Sequence, residues 1–286
     1  MNSKSRITPY GQSTQKLQLP TIVFLDVDGT IFNSKHEIPL RTKEAVAQLQ
    51  RLGVRVGLAT GRSVTAARLL ASELKLTGPH ILYAGALLVD GDFKPLGQQE
   101  IKREVCVELL EWLEAKSEDF EIYSINDYYS LKETPLLRIN WNYAGSDPSI
   151  GKFPTTLFDD PILKFQVILS EETQHIRSEL EVRFADTIRL AAAKGARHQH
   201  LSFISLLSST ALPTNFIKQI WEHIGCEGSF WSAGDGESDI PMIAAADIGI
   251  AMGNAQENVK AAANIITPHV DDDGLGVTLL ELLSKI

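Results

Sequence analysis

The sequence TIVFLDVDGT, residues 21–30, decides the fold of this 286-residue chain. Its first five residues are almost all aliphatic or aromatic, so neither face of the segment is polar. Such a run is typical of a central strand in a parallel sheet, which is buried on both faces. Asp26, Asp28 and Gly29 follow directly. Ligands of open α/β sheets bind beyond the carboxyl ends of the strands, so these residues become candidates for a functional site.

Strand-like and helix-like segments alternate at both ends of the chain. Apolar residues at helical spacing predict helices at 41–52, 63–74, 240–246, 255–263 and 275–284. Apolar runs predict strands at 54–59, 80–83, 229–233 and 248–252. This alternation indicates βαβ units and a parallel sheet with helices on both faces.

The middle of the chain has a different pattern. Two strand-like segments, 187–192 and 200–206, flank Lys194 and Gly195, which predicts an antiparallel hairpin. Helices are predicted nearby at 102–114 and 173–184. The fold class is therefore α/β, a Rossmann-like parallel-sheet core interrupted by an inserted α+β domain.

The domain bounds follow from the same patterns. The predicted core consists of residues 20–86 and 208–286, and the inserted domain of residues 87–207. Residues 1–19 are rich in Ser, Gln and Lys and are predicted to be a mobile leader without a catalytic role.

The composition excludes several classes of function. A net charge of −9 and a pI near 5.3 argue against a nucleic-acid partner, which needs a basic face. No segment has the roughly 18 apolar residues of a membrane helix, and the leader has no apolar core of a secretory signal. Cys106 and Cys226 lie far apart, so no disulfide framework is expected and a reducing, cytoplasmic location is predicted.

Three predicted strand ends carry polar residues that should meet at one edge of the sheet. They are Asp26 with Asp28, then Thr60, then Asp235 with Asp239. Carboxylates this close repel each other unless a cation lies between them, and oxygen ligands without Cys or His favour Mg²⁺. One carboxylate can attack phosphorus and a second can act as general acid and base. Thr60 and the amides after it can hold a phosphate.

Four segments resemble the motifs of haloacid dehalogenase-like phosphatases, in the correct order. These segments are DVDGT at 26–30, ATGR at 59–62, GDGESD at 234–239 and AMGNA at 251–255, the last followed by Lys260 and Ala263. The AMGNA segment and the large insertion after Gly85 resemble the Cof-like subgroup, in which the inserted domain is a cap over the active site. The resemblance covers residues 20–286.

The resemblance implies a role for each motif residue. Asp26 would be the nucleophile and Asp28 the general acid and base. Mg²⁺ would be held by the side chains of Asp26 and Asp235 and by Asp28 through its backbone carbonyl, with Asp239 completing or supporting the shell. Thr60 and Gly61, with Arg62 beside them, would bind the phosphoryl group. Further contacts are expected from Ser238 and Asn254.

The chain departs from the family pattern at three positions. Pro213 stands where the third motif has a lysine, Ser238 replaces an asparagine of the fourth motif, and Ala84 replaces an asparagine after the third strand. A lost charged contact typically costs roughly 10²–10³ in rate, which weakens an enzyme without silencing it. The candidate replacements for the lysine are Arg62, Lys194 and Lys218.

Structural roles compete with functional ones at several residues. Thr60 and Asp239 could be helix N-caps, and Asn254 could serve a turn. His198 and His200 are more readily exposed hairpin residues than zinc ligands, and Asp271 begins an acidic stretch expected to be a solvated loop. The aromatic residues of the inserted domain are expected in its core, with a sugar-facing role as the alternative: Trp141, Tyr143 and Phe153.

Three functions remain open from the sequence. The leading one is a Mg²⁺-dependent phosphatase that hydrolyses a small phosphorylated metabolite, above all a sugar phosphate, through an aspartyl-phosphate. A phosphomutase would use the same Asp pair. A phospho-ligand-binding protein without turnover is the third, because Pro213 removes the motif-three lysine. Neither the substrate nor the oligomeric state follows from the sequence.

Overall fold

A computed structural model of the protein describes residues 17–125, 127–144, 146–151, 153, 159–194, 198 and 200–286. The predicted leader therefore lies mostly outside the described residues. Leu17 and Leu19, at its end, are partly buried against the main hydrophobic core. No helix in the described ranges is both long and apolar enough to cross a membrane.

The strands and helices follow the predicted alternation. In chain order the strands are β1 (Ile22–Leu25), β2 (Arg55–Leu58), β3 (His80–Leu82), β4 (Leu87–Val89), β5 (Pro95–Gln98), β6 (Phe120–Tyr123), β7 (Tyr128–Ser130), β8 (Ser149–Ile150), β9 (Lys164–Leu169), β10 (Ile188–Lys194), β11 (Ser202–Ser208), β12 (Phe230–Gly234), β13 (Ile248–Ala251) and β14 (Ile265–Ile266). The α-helices are α1 (Leu40–Arg51), α2 (Val64–Leu74), α3 (Arg103–Lys116), α4 (Pro135–Ala144), α5 (His175–Arg183), α6 (Ile217–Ile224), α7 (Ile240–Ala245), α8 (Glu257–Ala262) and α9 (Gly274–Leu283).

A parallel sheet forms the centre of the core, in the order β14-β13-β12-β1-β2. In β1, Val23 and Leu25 join the hydrophobic cluster that includes α1 and α9, while Ile22 and Phe24 join the cluster that includes α6 and α7. Helices therefore cover both faces of the sheet, which explains why β1 is apolar throughout. The predicted Rossmann-like α/β core is confirmed.

A small antiparallel sheet, β3-β4-β5, lies beside the parallel one. A parallel bridge between Ala59 and Ile81 joins β3 to the end of β2. Strands β4 and β5 therefore accompany the core, although the predicted insertion begins at residue 87. The exact boundary stays a prediction.

The cap is built on a six-stranded, mostly antiparallel sheet in the order β10-β11-β9-β6-β7-β8. The predicted hairpin is present, because β10 pairs with β11 from Ile188 opposite Ser208 to Lys194 opposite Ser202. Helices α3 and α5 contribute to the hydrophobic cluster on one face of this sheet. The other face carries Lys164, Gln166 and Ser205, and these residues line a cavity shared with the core.

Candidate active site

The predicted strand ends do converge. Asp26 follows β1, Asp235 follows β12 and Thr60 lies just beyond β2, and these three strands are direct neighbours in the sheet. Asp239 lies in a 3₁₀ turn, Glu237–Asp239. Three carboxylate oxygens lie within 4.8 Å of one another, one each from Asp26, Asp235 and Asp239.

The three carboxylates destabilise one another's charged form. Burial raises the pKa of Asp26 well above its usual value, and the negative charges of Asp239, Asp235 and Asp28 raise it further. Burial likewise raises the pKa of Asp235 and of Asp239, each to about 7. The negative charge of Asp28 adds to the rise for Asp235, and that of Asp235 adds to the rise for Asp239. Folding has therefore placed acidic groups where they are unfavourable alone, and a bound cation would relieve this repulsion.

The donor set fits a hard divalent cation. All three side chains offer oxygen, with no sulfur or imidazole in the cluster, which matches Mg²⁺ better than zinc. Asp239 also accepts hydrogen bonds from the backbone N–H groups of Asp235 (3.1 Å) and Gly236 (2.9 Å), so it fixes the turn as well as facing the cluster. As the N-cap of α7, Asp239 makes no side-chain hydrogen bond to the helix, so its carboxylate stabilises the preceding turn, and its role in the site stays a prediction.

The turn after β1 is held close to Asp235. Gly29 has φ +84°, and a side chain there would collide with the Asp235 carboxylate. The Asn254 amide donates to the carbonyl of Gly29 (2.9 Å) and to Oδ2 of Asp235 (3.0 Å), while its oxygen accepts from Val270 N–H. Asn254 thus joins three loops around the cluster, which is a structural role, while a contact with substrate stays a prediction.

Asp28 lies outside the carboxylate cluster of the described residues. Arg62 binds it with both arms of the guanidinium, Nε to Oδ2 at 2.9 Å and Nη2 to Oδ1 at 2.7 Å. The guanidinium also stacks on Phe32, 5.1 Å from the ring centroid. Arg62 was predicted as a phosphate-side residue, but in this structure it orients the Asp28 carboxylate.

The turn from Thr60 to Arg62, predicted to bind phosphate, leaves the Thr60 hydroxyl able to donate a hydrogen bond. Oγ1 of Thr60 accepts a hydrogen bond from Arg62 N–H at 3.3 Å, so its own hydroxyl proton can be donated to a ligand. The N-cap of α2 is Ser63, whose hydroxyl accepts from Ala66 N–H. Thr60 is therefore not the cap of this helix.

A cavity of about 730 Å³ opens between the core and the cap. The core side contributes Asp26, Asp28 and Ser238, and the cap side contributes Lys164 and Gln166. The cavity is large enough for a small metabolite and holds the carboxylate cluster at its core end.

The family profile of haloacid dehalogenase-like hydrolases matches residues 23–279. The chain belongs to this family. It is 25% identical over 289 residues to the phosphatase YwpJ of Bacillus subtilis, covering 92% of this chain and 99% of that protein. These matches confirm the prediction of a phosphoric monoester hydrolase.

Solved structures agree with the fold. A haloacid dehalogenase-like hydrolase from Bacteroides thetaiotaomicron superposes with a TM-score of 0.77 at 26% identity, covering 92% of this chain and 99% of that one. A sugar phosphatase of haloacid dehalogenase subclass IIB gives a TM-score of 0.78 at 22% identity, covering 93% of this chain and 100% of that one. The second similarity extends to the fold alone.

The position of the missing family lysine is now visible. Pro213 begins a 3₁₀ turn, Pro213–Phe216, and lines a small cavity of about 20 Å³ together with Thr60, Gly61 and Asp239. A lysine there would reach the active site, whereas proline brings no charge. Proline does suit the start of a helical turn.

Of the three predicted replacements for the lysine, one faces solvent and the side chain of another lies outside the described residues. Lys218 has 87% of its side chain exposed and pairs with Glu222 at 3.6 Å, so it faces solvent. Lys194 ends β10, and its side chain lies outside the described residues. Arg62 is at the site but is already bound to Asp28.

A different lysine, Lys164, lies at the cap side of the cavity and was missed by the sequence analysis. Its signal was available in the segment LKFQV, residues 163–167, where polar residues alternate with apolar ones. That alternation puts Lys164 and Gln166 on the same face of β9, opposite to Phe165. A single sequence does not indicate which face of a cap strand lines the cavity.

The remaining candidates have structural roles. Oδ2 of Asp273 accepts from Arg41 N–H at 2.7 Å, so the acidic loop caps the start of α1 instead of being merely solvated. His198 and His200 form an edge-to-face ring pair with centroids 6.0 Å apart, and within the described ranges neither belongs to a metal-ligand cluster. Trp141 is buried and Phe153 packs on the hydrophobic cluster of the cap, whereas the side chain of Tyr143 lies outside the described residues.

Proposed function

We propose that the protein is a Mg²⁺-dependent phosphatase that hydrolyses a small phosphate monoester, with a sugar phosphate as the favoured class, by way of an aspartyl-phosphate on Asp26. The observation that carries the proposal is the meeting of Asp26, Asp235 and Asp239 within 4.8 Å at the core end of the cavity. The pair of Asp28 and Arg62 lies beside this cluster. The sugar-phosphatase activity of one structural neighbour agrees with this substrate class.

The cation would be held by the carboxylates of Asp26 and Asp235, by the backbone carbonyl of Asp28 and, directly or through water, by Asp239. When bound, it would neutralise the phosphoryl oxygens and the clustered carboxylates. The chain's own contribution is to keep these groups together before substrate arrives, through the hydrogen bonds of Asn254 and of the turn at Gly236.

The reaction would proceed in two displacements. A carboxylate oxygen of Asp26 attacks phosphorus, the bond from phosphorus to the ester oxygen breaks, and Asp28 gives its proton to the leaving alcohol. Asp28 then takes a proton from a water that attacks the phosphoryl group, and the bond to Asp26 breaks to release inorganic phosphate. In this structure both oxygens of Asp28 accept hydrogen bonds from Arg62, so one of these bonds has to open before Asp28 can carry the proton that it donates.

Thr60 and Gly61 would hold the phosphoryl group. The hydroxyl of Thr60 and the amide of Gly61 lie at the end of β2, directly beside the strand that carries Asp26. Donors beside the strand that carries Asp26 support this role, because they could stabilise the charge on the phosphoryl oxygens. A cytoplasmic location remains part of the proposal, supported by the free cysteines Cys106 and Cys226.

The test is phosphate release from a panel of sugar phosphates and one aryl phosphate, with Mg²⁺ and with a chelator. We expect turnover that needs Mg²⁺ and disappears in Asp26→Asn. Asp272→Asn is the matched control, because Asp272 is exposed and outside the cavity. A folded protein that binds Mg²⁺ but turns over none of the esters would favour a phospho-ligand-binding role instead, and dependence on a bisphosphate activator would favour a phosphomutase.

A further inference from the structure

Among the described residues that line the core side of the cavity, the only lysine or arginine is Arg62, which is paired with Asp28. In the described part of the cavity wall the arginine and lysine side chains are Arg62, Lys164 and Arg177. Arg62 is engaged by Asp28, and Arg177 pairs with Glu181 at 2.8 Å with 40% of its side chain exposed. Of these three side chains, Lys164 is the one that forms no ion pair within 4.0 Å with a described residue.

Lys164 is buried at the boundary between cap and core. It is 4% exposed, and its ammonium donates to the carbonyl of Gly61 at 3.4 Å, in the turn proposed to bind phosphate. The ammonium lies over the ring of Tyr123 at 4.3 Å and over that of Tyr83 at 5.4 Å. Two aromatic faces thus position it without neutralising its charge.

Among the described residues Lys164 belongs to no ion pair within 4.0 Å, and the carboxylate whose charge acts on it is the buried Glu121. Burial lowers the pKa of Lys164 to about 8, and the nearby Glu121 partly opposes that effect. The charged form of Lys164 therefore stays unfavourable despite Glu121, and a second anion close to the ammonium would stabilise it. Its surroundings are therefore suited to an anion that arrives with the substrate.

Gln166 gives independent evidence for a ligand at this place. Its Oε1 accepts from Lys164 (3.0 Å) and from Ser205 (3.0 Å), which fixes the orientation of the amide. Its Nε2 is then left buried without a hydrogen-bond partner, in a residue that is 5% exposed and lines the cavity. Buried donors without partners are uncommon and point to an absent acceptor.

We propose that Lys164 supplies, from the cap, the positive charge that the core lacks at Pro213, by binding a phosphoryl oxygen of the substrate while the Gln166 amide donates to an oxygen of the alcohol portion. This rests on the proposed phosphatase function. It also means that the catalytic charge set is complete only when the cap lies on the core, as it does here.

The first test compares wild-type protein with Lys164→Met, which removes the charge and keeps an apolar stem of similar length. With saturating Mg²⁺, we expect kcat/KM for a small aryl phosphate to fall by about 10²–10³. The affinity for inorganic phosphate, measured by calorimetry, should weaken at least about tenfold, as expected for losing a charge-assisted hydrogen bond. Lys102→Met, which removes an exposed lysine before α3, should change neither quantity.

The second test restores the charge from the other side. Adding Pro213→Lys to Lys164→Met should recover at least about tenfold of the lost kcat/KM, because a lysine at 213 reaches the same turn from the core. A structural defect would not be rescued in this way. Unchanged phosphate affinity in Lys164→Met, or a loss confined to esters of larger alcohols with the aryl phosphate unaffected, overturns the proposal. If the wild type turns over no ester but Lys164→Met still weakens phosphate binding, the phosphatase assignment fails and the role of Lys164 stands.

Discussion

The core edge and the cap face line the same cavity, but the sequence indicates a role for the first and not for the second. The core edge collects Asp26, Asp235 and Asp239 from the ends of strands, so the backbone topology alone brings them together. The cap face contributes Lys164 from the beginning of β9, in a mostly antiparallel sheet, and the sequence does not indicate which face of that sheet meets the core.

The difference teaches how charge is divided in this protein. The core brings a surplus of negative charge, held close together by hydrogen bonds to Asp239 and Asp235. The cap brings a buried positive charge held by aromatic rings. The core would therefore be the cation-binding side and the cap the anion-binding side, and the following experiments separate the two.

The largest effect is expected on the core side, for Asp235→Asn. The change keeps the shape of the side chain but removes a charge from the group that would hold Mg²⁺, a contribution of several kcal/mol to the transition state. At about 1.4 kcal/mol for each factor of ten, we expect turnover to fall by roughly 10³. The Mg²⁺ concentration for half-maximal activity should rise as well. Turnover and Mg²⁺ dependence equal to those of Asp272→Asn would remove Asp235 from the metal site.

A smaller loss is expected for Arg62→Lys, which tests the orientation of Asp28. Lysine keeps the charge but cannot make the paired hydrogen bonds at 2.9 and 2.7 Å. We expect kcat to fall by roughly 10² with a small change in KM, because positioning a general acid acts in the transition state. Arg68→Lys, on the exposed side of α2, is the control. A rise in KM with kcat unchanged would instead assign Arg62 to substrate binding.

The core could be predicted from the sequence because its signals are local. An apolar strand followed at once by Asp26 places a carboxylate at a sheet edge whichever neighbours it has, and the same holds for Asp235 after β12. The bounds of the predicted helices agree with the structure to within two residues at most ends, as for α1 at Leu40–Arg51.

The cap site could not be predicted because its signals depend on packing. Lys164 and Gln166 alternate with buried residues, but whether that face meets solvent, helices or the core depends on how the cap sits. The binding of Asp28 by Arg62 was likewise hidden, because residues 34 positions apart in the chain gave no sign of contact. The family resemblance indicates a missing charge at Pro213, but no sequence pattern indicates which other cation lies nearby.

On the cap side, the pH dependence of kcat/KM tests Lys164 with a smaller effect. Folding lowers its pKa from 10.5 to about 8, so the ammonium is charged below that pH and neutral above it. We therefore expect kcat/KM, which reports the free enzyme, to fall by up to tenfold for each pH unit above about 8. Lys164→Met should start lower and lack this alkaline decline. The same decline in Lys164→Met would mean that another group is titrating.

The smallest effect is expected where the core and the cap are joined. Gln99 directly follows β5, and its amide donates to the carbonyl of Gly85 (2.6 Å) before β4 and to that of Leu212 (2.9 Å) after β11, where the chain has returned from the cap. Its oxygen accepts from Asn215 at 2.6 Å, so Gln99→Ala removes three hydrogen bonds at a partly buried position. We expect the free energy of unfolding to fall by about 1–2 kcal/mol, since the two carbonyls become accessible to water in place of the amide.

Chemical denaturation measures this loss, with Gln98→Ala as the control because Gln98 is an exposed neighbour on β5. If core and cap unfold together, the midpoint should shift without a change in slope, since the surface exposed on unfolding is the same. A second transition in Gln99→Ala would mean that this residue couples the stability of the two domains. Lys164 contacts Gly61 only while the cap lies on the core, so such uncoupling should also lower turnover. Unchanged turnover would mean that the contact between Lys164 and Gly61 does not depend on Gln99.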